Sequence, residues 1–236
     1  MNKKTMIAAV ITLVMLLSVF VNSTAALRMG PRRQPEGTQN HPEELTLITI
    51  FDEGCNGWKF FSIPFDAYLS EKDIRVTYMD HVMTLKEAVN QNIIHRNIFV
   101  YDNAKGRWEH THEFETGNAY LAYVYVSENV TLSAVGTFED SYEPVILYQG
   151  WNYFGIPVSS TIPASNLRFS CEKMGLEHLT LQEAQGTLVS GYICHATNSN
   201  PMYELLMDND AEMIPGDVYL IVGLVDGVIM EFTPVM

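Results

Sequence analysis

GWKFFSIPF, residues 57–65, and GWNYFGIPV, residues 150–158, are one nine-residue phrase written once in each half of a 236-residue chain. The phrase runs glycine, tryptophan, a polar residue, two aromatics, a small residue, isoleucine, proline and an apolar residue, with no acid and no thiol. An aromatic run of this kind favours a pleated, half-buried surface. Proline, with no amide hydrogen to give a ladder, closes such a strand.

The residues downstream of each phrase repeat as well. MTLKEAV (83–89) is matched by LTLQEAQ (179–185), NIFVYDNAKGRW (97–108) by GYICHATNSNPMY (191–203), and GNAYLAYVYV (117–126) by GDVYLIVGLV (216–225). The offsets are 93, 96, about 95 and 99 residues. Four matches in the same order, with drifting loop lengths, indicate an internal duplication. The chain therefore divides into copy one (45–136), a polar linker (137–143) and copy two (144–236).

Each copy fits one template. A strand (ELTLITIF or EPVILYQ) leads into the GWxxFxIP strand. Thr84 with Glu87 and Thr180 with Glu183 have capping-box spacing and predict one short helix each. IFVYD and RWEHTHEF flank the turn formers NAKG and predict a hairpin. AYLAYVYV with NVTLSAVG, and VYLIVGLV with VIMEF around Asp226 and Gly227, read as a second hairpin in each copy. The expected fold is mainly β: two homologous β-rich modules forming a β-sandwich-like pair, each with one short helix. In that reading the apolar sheet faces cover one another, with Trp58, Phe61, Ile63, Trp151, Phe154 and Ile156 as the repeat core. Two separate small sandwiches joined near residues 137–144 are the alternative.

The first residues decide the compartment. Lys3 and Lys4 precede an apolar run from Met6 to Val21, and Ser23, Thr24, Ala25 and Ala26 supply a small-residue cleavage site. This is the layout of a signal peptide over residues 1–25, and the run is shorter than the ~20 residues of a comfortable membrane span. No membrane span is expected after cleavage. Residues 26–44, rich in Pro and Gly and poor in apolar residues, read as a flexible leader. Two of the 14 basic residues lie in the signal, so the mature chain keeps 12 against 28 acidic residues, a net charge of −16. Such a surface argues against nucleic acid as a partner.

Candidates for chemistry are few. Three cysteines in an exported chain leave one over after a single internal bond. Cys171 and Cys194, both in copy two, are the expected internal pair, and Cys55 the interchain candidate. Neighbours along a strand point to opposite faces, which argues against a Cys194–His195 dyad. His110 and His112 share one side of a predicted strand, but two ligands do not make a metal site. Asp208, Asp210 and Glu212 alternate without the glycine and distal glutamate of a calcium loop. Asn129, in the sequon Asn-Val-Thr, is a glycosylation candidate. No catalytic residue, metal or cofactor is expected.

Together, GWNYFGIP with its twin GWKFFSIP, the YDNAKGRWE hairpin and the GNAYLAYV strand resemble a repeated GWN-type β-module of exported cell-surface proteins, S-layer or sheath-like, in archaea and some bacteria. In copy two ATNSNPMY departs from the hairpin pattern. The resemblance implies a fold and an extracellular envelope location, with no catalytic residue. The expected function is a non-enzymatic structural subunit of an envelope layer, sheath or filament. It would be a homo-oligomer or polymer joined by strand edges. The alternatives are a secreted carbohydrate-binding or adhesion module with surface glycans as partners, and a secreted hydrolase.

Overall fold

A computed structural model describes residues 45–52, 56–65, 67–135, 144–158, 160–198, 202–206 and 211–233. The expected signal (1–25), leader (26–44) and linker (137–143), with Cys55, Asp208 and Asp210, lie outside the described residues. Residues 44–236 form one compact unit.

Copy one contains β1 (Leu45–Phe51), β2 (Gly57–Ser62), β3 (Tyr68–Ser70), β4 (Arg75–Tyr78), β5 (His81–Thr84), α1 (Leu85–Asn90), β6 (Ile98–Asp102), β7 (Arg107–Thr111), β8 (Glu113–Glu115), β9 (Ala119–Val124) and β10 (Val130–Val135). Copy two contains β11 (Val145–Leu147), β12 (Gly150–Gly155), β13 (Ile162–Pro163), β14 (Leu167–Cys171), β15 (Leu176–Leu179), α2 (Leu181–Ala184), β16 (Val189–Ala196), β17 (Tyr203–Leu206), β18 (Glu212–Met213), β19 (Val218–Gly223) and β20 (Val228–Phe232). The sheets β1-β10-β4-β5 and β2-β9-β6-β7 of copy one are matched, strand for strand, by β11-β20-β14-β15 and β12-β19-β16-β17 of copy two. The paired strands β3 and β8 are matched by β13 and β18. The repeat is thus a duplication of topology, and the fold is mainly β.

Local signals act as their chemistry dictates. Thr84 caps α1 and Thr180 caps α2, each in a complete capping box with Glu87 or Glu183. The threonine backbone N–H bonds hold both carboxyls below their usual range. That contribution is present at neutral pH and fades as pH falls through the lowered values. Gly57 and Gly150 open the phrase at φ of 124° and 106°, where a side chain is strained. The Asn152 amide fastens the turn before β12: its Oδ1 accepts from the Tyr148 N–H at 2.8 Å, and its Nδ2 donates to the Tyr148 and Gly150 carbonyls.

Two sequence expectations fail here. The strands β9 and β10 do not form a hairpin, because β9 pairs with β2 and β6 while β10 pairs with β1 and β4. The same holds for β19 and β20 around Asp226 and Gly227. The core set of β9 is Tyr120, Ala122 and Val124 and that of β10 is Val130, Leu132 and Ala134, and arching from one sheet to the other brings both sets into one core, which a flat hairpin cannot do.

The second correction concerns the core. Each module buries its own: Ile48, Phe51, Phe61, Val76, Tyr120 and Leu132 among others in copy one, and Leu147, Phe154, Phe169, Ile193, Tyr219 and Phe232 among others in copy two. The two copies are separate sandwiches and do not share one face-to-face core. Phe61, Ile63, Phe154 and Ile156 are core residues as expected, but Trp58 is 42 % exposed and Trp151 is half-buried. The reason is phase. Side chains alternate along a strand, so placing Phe61 and Phe154 inside turns Trp58, Phe60, Trp151 and Tyr153 outward.

Candidate functional site

The outward-facing aromatics make the contact between the two modules. Phe60 and Tyr153, equivalent positions of the phrase, are each only 4 % exposed yet belong to neither core. Their rings stack with centroids 6.3 Å apart. Around them Tyr101 meets Tyr153 at 4.3 Å, Trp108 meets Tyr153 at 5.1 Å, and Tyr203 meets Phe60 at 5.8 Å. Close aromatic pairs contribute roughly 0.5–1.5 kcal/mol each beyond the area they bury. Burial pushes the Tyr101 and Tyr203 hydroxyls up to about 12 and that of Tyr153 higher still.

The polar contacts are reciprocal. Asn103, at the tip of the β6–β7 hairpin, accepts the Tyr153 N–H at 2.9 Å and donates to the Tyr153 carbonyl at 3.0 Å. Asn198, in the β16–β17 connection, accepts the Phe60 N–H at 2.7 Å and donates to the Phe60 carbonyl at 3.0 Å. Near the centre, the Ser62 N–H donates to the Gly216 carbonyl and the Gly155 N–H to the Gly117 carbonyl, both at 2.8 Å. Ser62 and Gly155 are equivalent, as are Gly117 and Gly216. The contact therefore has approximate two-fold symmetry, with each side using the same positions. Buried Lys59 adds a bond from its Nζ to the Asn198 carbonyl at 2.8 Å.

This arrangement closes two strand edges. Among the described residues β2 and β12 each pair with a single strand, β9 and β19, and an open edge invites pairing with another chain. An asparagine amide offers an acceptor oxygen beside a donor NH2 group, as a peptide offers C=O and N–H, so Asn103 and Asn198 stand where a neighbouring strand's peptide would.

Beyond the contact, the outer face of β2-β9-β6-β7 continues as a strip open to solvent. Trp58 lies edge-on to Tyr123 at 5.3 Å and to Phe99 at 5.9 Å. Tyr123 meets Tyr125 at 5.1 Å, and Phe99 meets His110 at 6.1 Å. Strand alternation and register place Trp58, Phe60, Ser62, Ala119, Leu121, Tyr123, Phe99, Tyr101, Trp108 and His110 on this face, and none of them is a carboxylate, lysine or arginine. Copy two has Val222 opposite Trp151 where copy one has Tyr123 opposite Trp58.

The remaining candidates are scattered. Cys171 and Cys194 are free and buried, so the expected internal disulfide is absent. Cys171 sits on β14 inside the copy-two core, whereas Cys194, on β16 of the other sheet, lies outside that core. Burial raises the Cys194 thiol and keeps it a poor nucleophile. His195 stacks on Tyr219 and bonds Asp217 at 3.0 Å. Exposed His110 and His112 have ring centroids 4.4 Å apart, and His112 bonds Glu71 at 2.7 Å. Among the described residues no group of three or more His, Cys, Asp or Glu is placed to hold a metal. Asn129 is exposed in the turn before β10, and Glu212 lies on β18.

Sequence reasoning missed Asn103, Asn198, Tyr123 and Phe99. The signal was there for the asparagines: both sit just after the β6-type strand, 95 positions apart, and they survive where the rest of the hairpin diverges.

Comparison with protein-family models, curated proteins and solved structures found no match.

Proposed function

We propose that the chain is a non-enzymatic structural subunit of an extracellular envelope assembly. One observation carries this reading: the unit of residues 44–236 has two equivalent hairpins with exposed tips. The edges that face the twin copy are capped by Asn103 and Asn198. By contrast β5 and β15 each pair with a single described strand, and the hairpins that hold them carry exposed methionines at equivalent places, Met79 and Met174. Val82, on β5, is exposed as well. A body with one open edge can only dimerise through it, whereas two related edges let a chain of subunits grow. The signal layout supports export, and Cys55 would lock neighbouring subunits.

Non-reducing and reducing gels of native envelope material, with micrographs of the purified mature protein, test the reading. Ordered sheets or filaments are expected, with gel ladders that collapse in reductant where Cys55 bonds form. Particles that remain single, and monomer in both lanes, would overturn it. A carbohydrate-binding module is the second reading, favoured by the exposed rings of Trp58 and Tyr125 beside half-buried Tyr123. It ranks lower because the strip face carries no carboxylate, which sugar recognition commonly uses to hold hydroxyls.

A further inference from the structure

The strip and the inter-module contact are one continuous surface. Trp58 and Phe60 are two residues apart on β2 and share a face; copy two covers Phe60, and Trp58 stands open. A face on which aromatic residues are concentrated and charge is absent has the composition of a protein–protein interface core. Its freedom from charge is unusual in a chain with 28 acidic residues, and it removes the repulsion that two such chains would otherwise feel on close approach. The rings are already braced edge-to-face against one another, so little side-chain freedom remains to be lost on docking. Copy two does not repeat the strip. A contact made by it therefore pairs copy one with copy one and closes as a dimer, unlike the growing contacts of the hairpin edges.

We propose that the strip of Trp58, Phe99, Tyr123 and Tyr125 is the docking surface for a second copy of this chain, which lays the same strip against it. The inference rests on the assembly reading and names a lateral contact within that assembly. The occupant is a second copy because the strip extends a face that already binds a homologous module.

Sedimentation velocity of the mature chain, kept reduced so that Cys55 cannot contribute, tests it. The parent protein should form a dimer that Trp58→Ser combined with Tyr123→Ser weakens roughly tenfold or more, while Val82→Ser on β5 leaves that dimer unchanged. Should the double variant lose its circular-dichroism spectrum, Tyr125→Cys in a Cys55→Ser background gives the same information. Oxidation should cross-link it into dimers far faster than a Met79→Cys control. Association that survives the strip variants, failure of Tyr125→Cys to cross-link, or loss of binding to a soluble glycan with no change in association would overturn the proposal and leave the assembly reading standing. An intact dimer that never enters envelope material would instead sink the assembly reading alone.

Discussion

Asn103 holds Tyr153 by both of its backbone polar groups, from the other copy of the repeat and fifty residues away. The bond pair imitates one rung of a β-ladder, and Asn198 makes the same rung for Phe60. Two sandwiches are joined in this way without merging their cores.

Replacing either asparagine strands a buried amide and carbonyl on an edge strand. Asn103→Ala and Asn198→Ala should each lower the stability of the protein by about 1–3 kcal/mol in urea unfolding. Asn103→Asp, which can accept from the Tyr153 N–H but cannot donate to its carbonyl, should fall between parent and alanine. Equal loss in Asp and Ala would show that the amide does not serve both backbone groups.

The centre of the contact has room for one small side chain, and copy one fills it with Ser62. A β-carbon on Gly155 would run into the Ser62 Cβ and Oγ. Gly155→Ser should cost about 1–3 kcal/mol of overpacking, read as a lowered melting temperature. Ser62→Gly in the same chain should recover most of it, since the swap only exchanges the two copies' residues. Failure of the second change to rescue the first would place the clash elsewhere.

The tyrosines of the contact give it a pH window. Burial raises Tyr101 and Tyr203 from 10.0 to about 12. In the folded state they hold their protons more tightly than in the unfolded chain. Their contribution to stability is therefore complete below pH 10 and is lost as pH climbs toward 12. Ultraviolet absorbance should show these tyrosines ionising late and together with the unfolding transition. A titration in which every tyrosine ionises near its ordinary value while the fold persists would contradict their burial.

Cys171 and Cys194 should behave as two free, buried thiols shielded from reagent. Ellman's reagent ought to reach them only on unfolding, and intact mass should show no bond between them in protein purified without reductant. A Cys171–Cys194 linked peptide would refute their placement in different sheets.

The features legible in the letters alone came from local chemistry. Thr84, Glu87, Thr180 and Glu183 announced two capped turns, and the order of the repeats announced the duplicated topology. The partner of each strand was less legible. Asp226 and Gly227 favour a chain reversal, but whether that reversal stays in one sheet depends on which sheet needs the next apolar face. The aromatic phrase misled in a related way. Both of its faces are apolar, so periodicity could not say which one a module keeps for itself. Phe61 went inward, Phe60 went to the twin copy, and Trp58 to the surface.

Residue-resolved hydrogen exchange tests the central claim most directly. The N–H groups of Phe60 and Tyr153 point off the edges of β2 and β12, and each donates to the side-chain oxygen of the opposite copy's asparagine. Both should be strongly protected in the parent protein; Asn103→Ala should release Tyr153 and spare Phe60, and Asn198→Ala should do the reverse. Fast exchange at both positions in the parent, or protection indifferent to either substitution, would mean that the two modules are not locked together in this way.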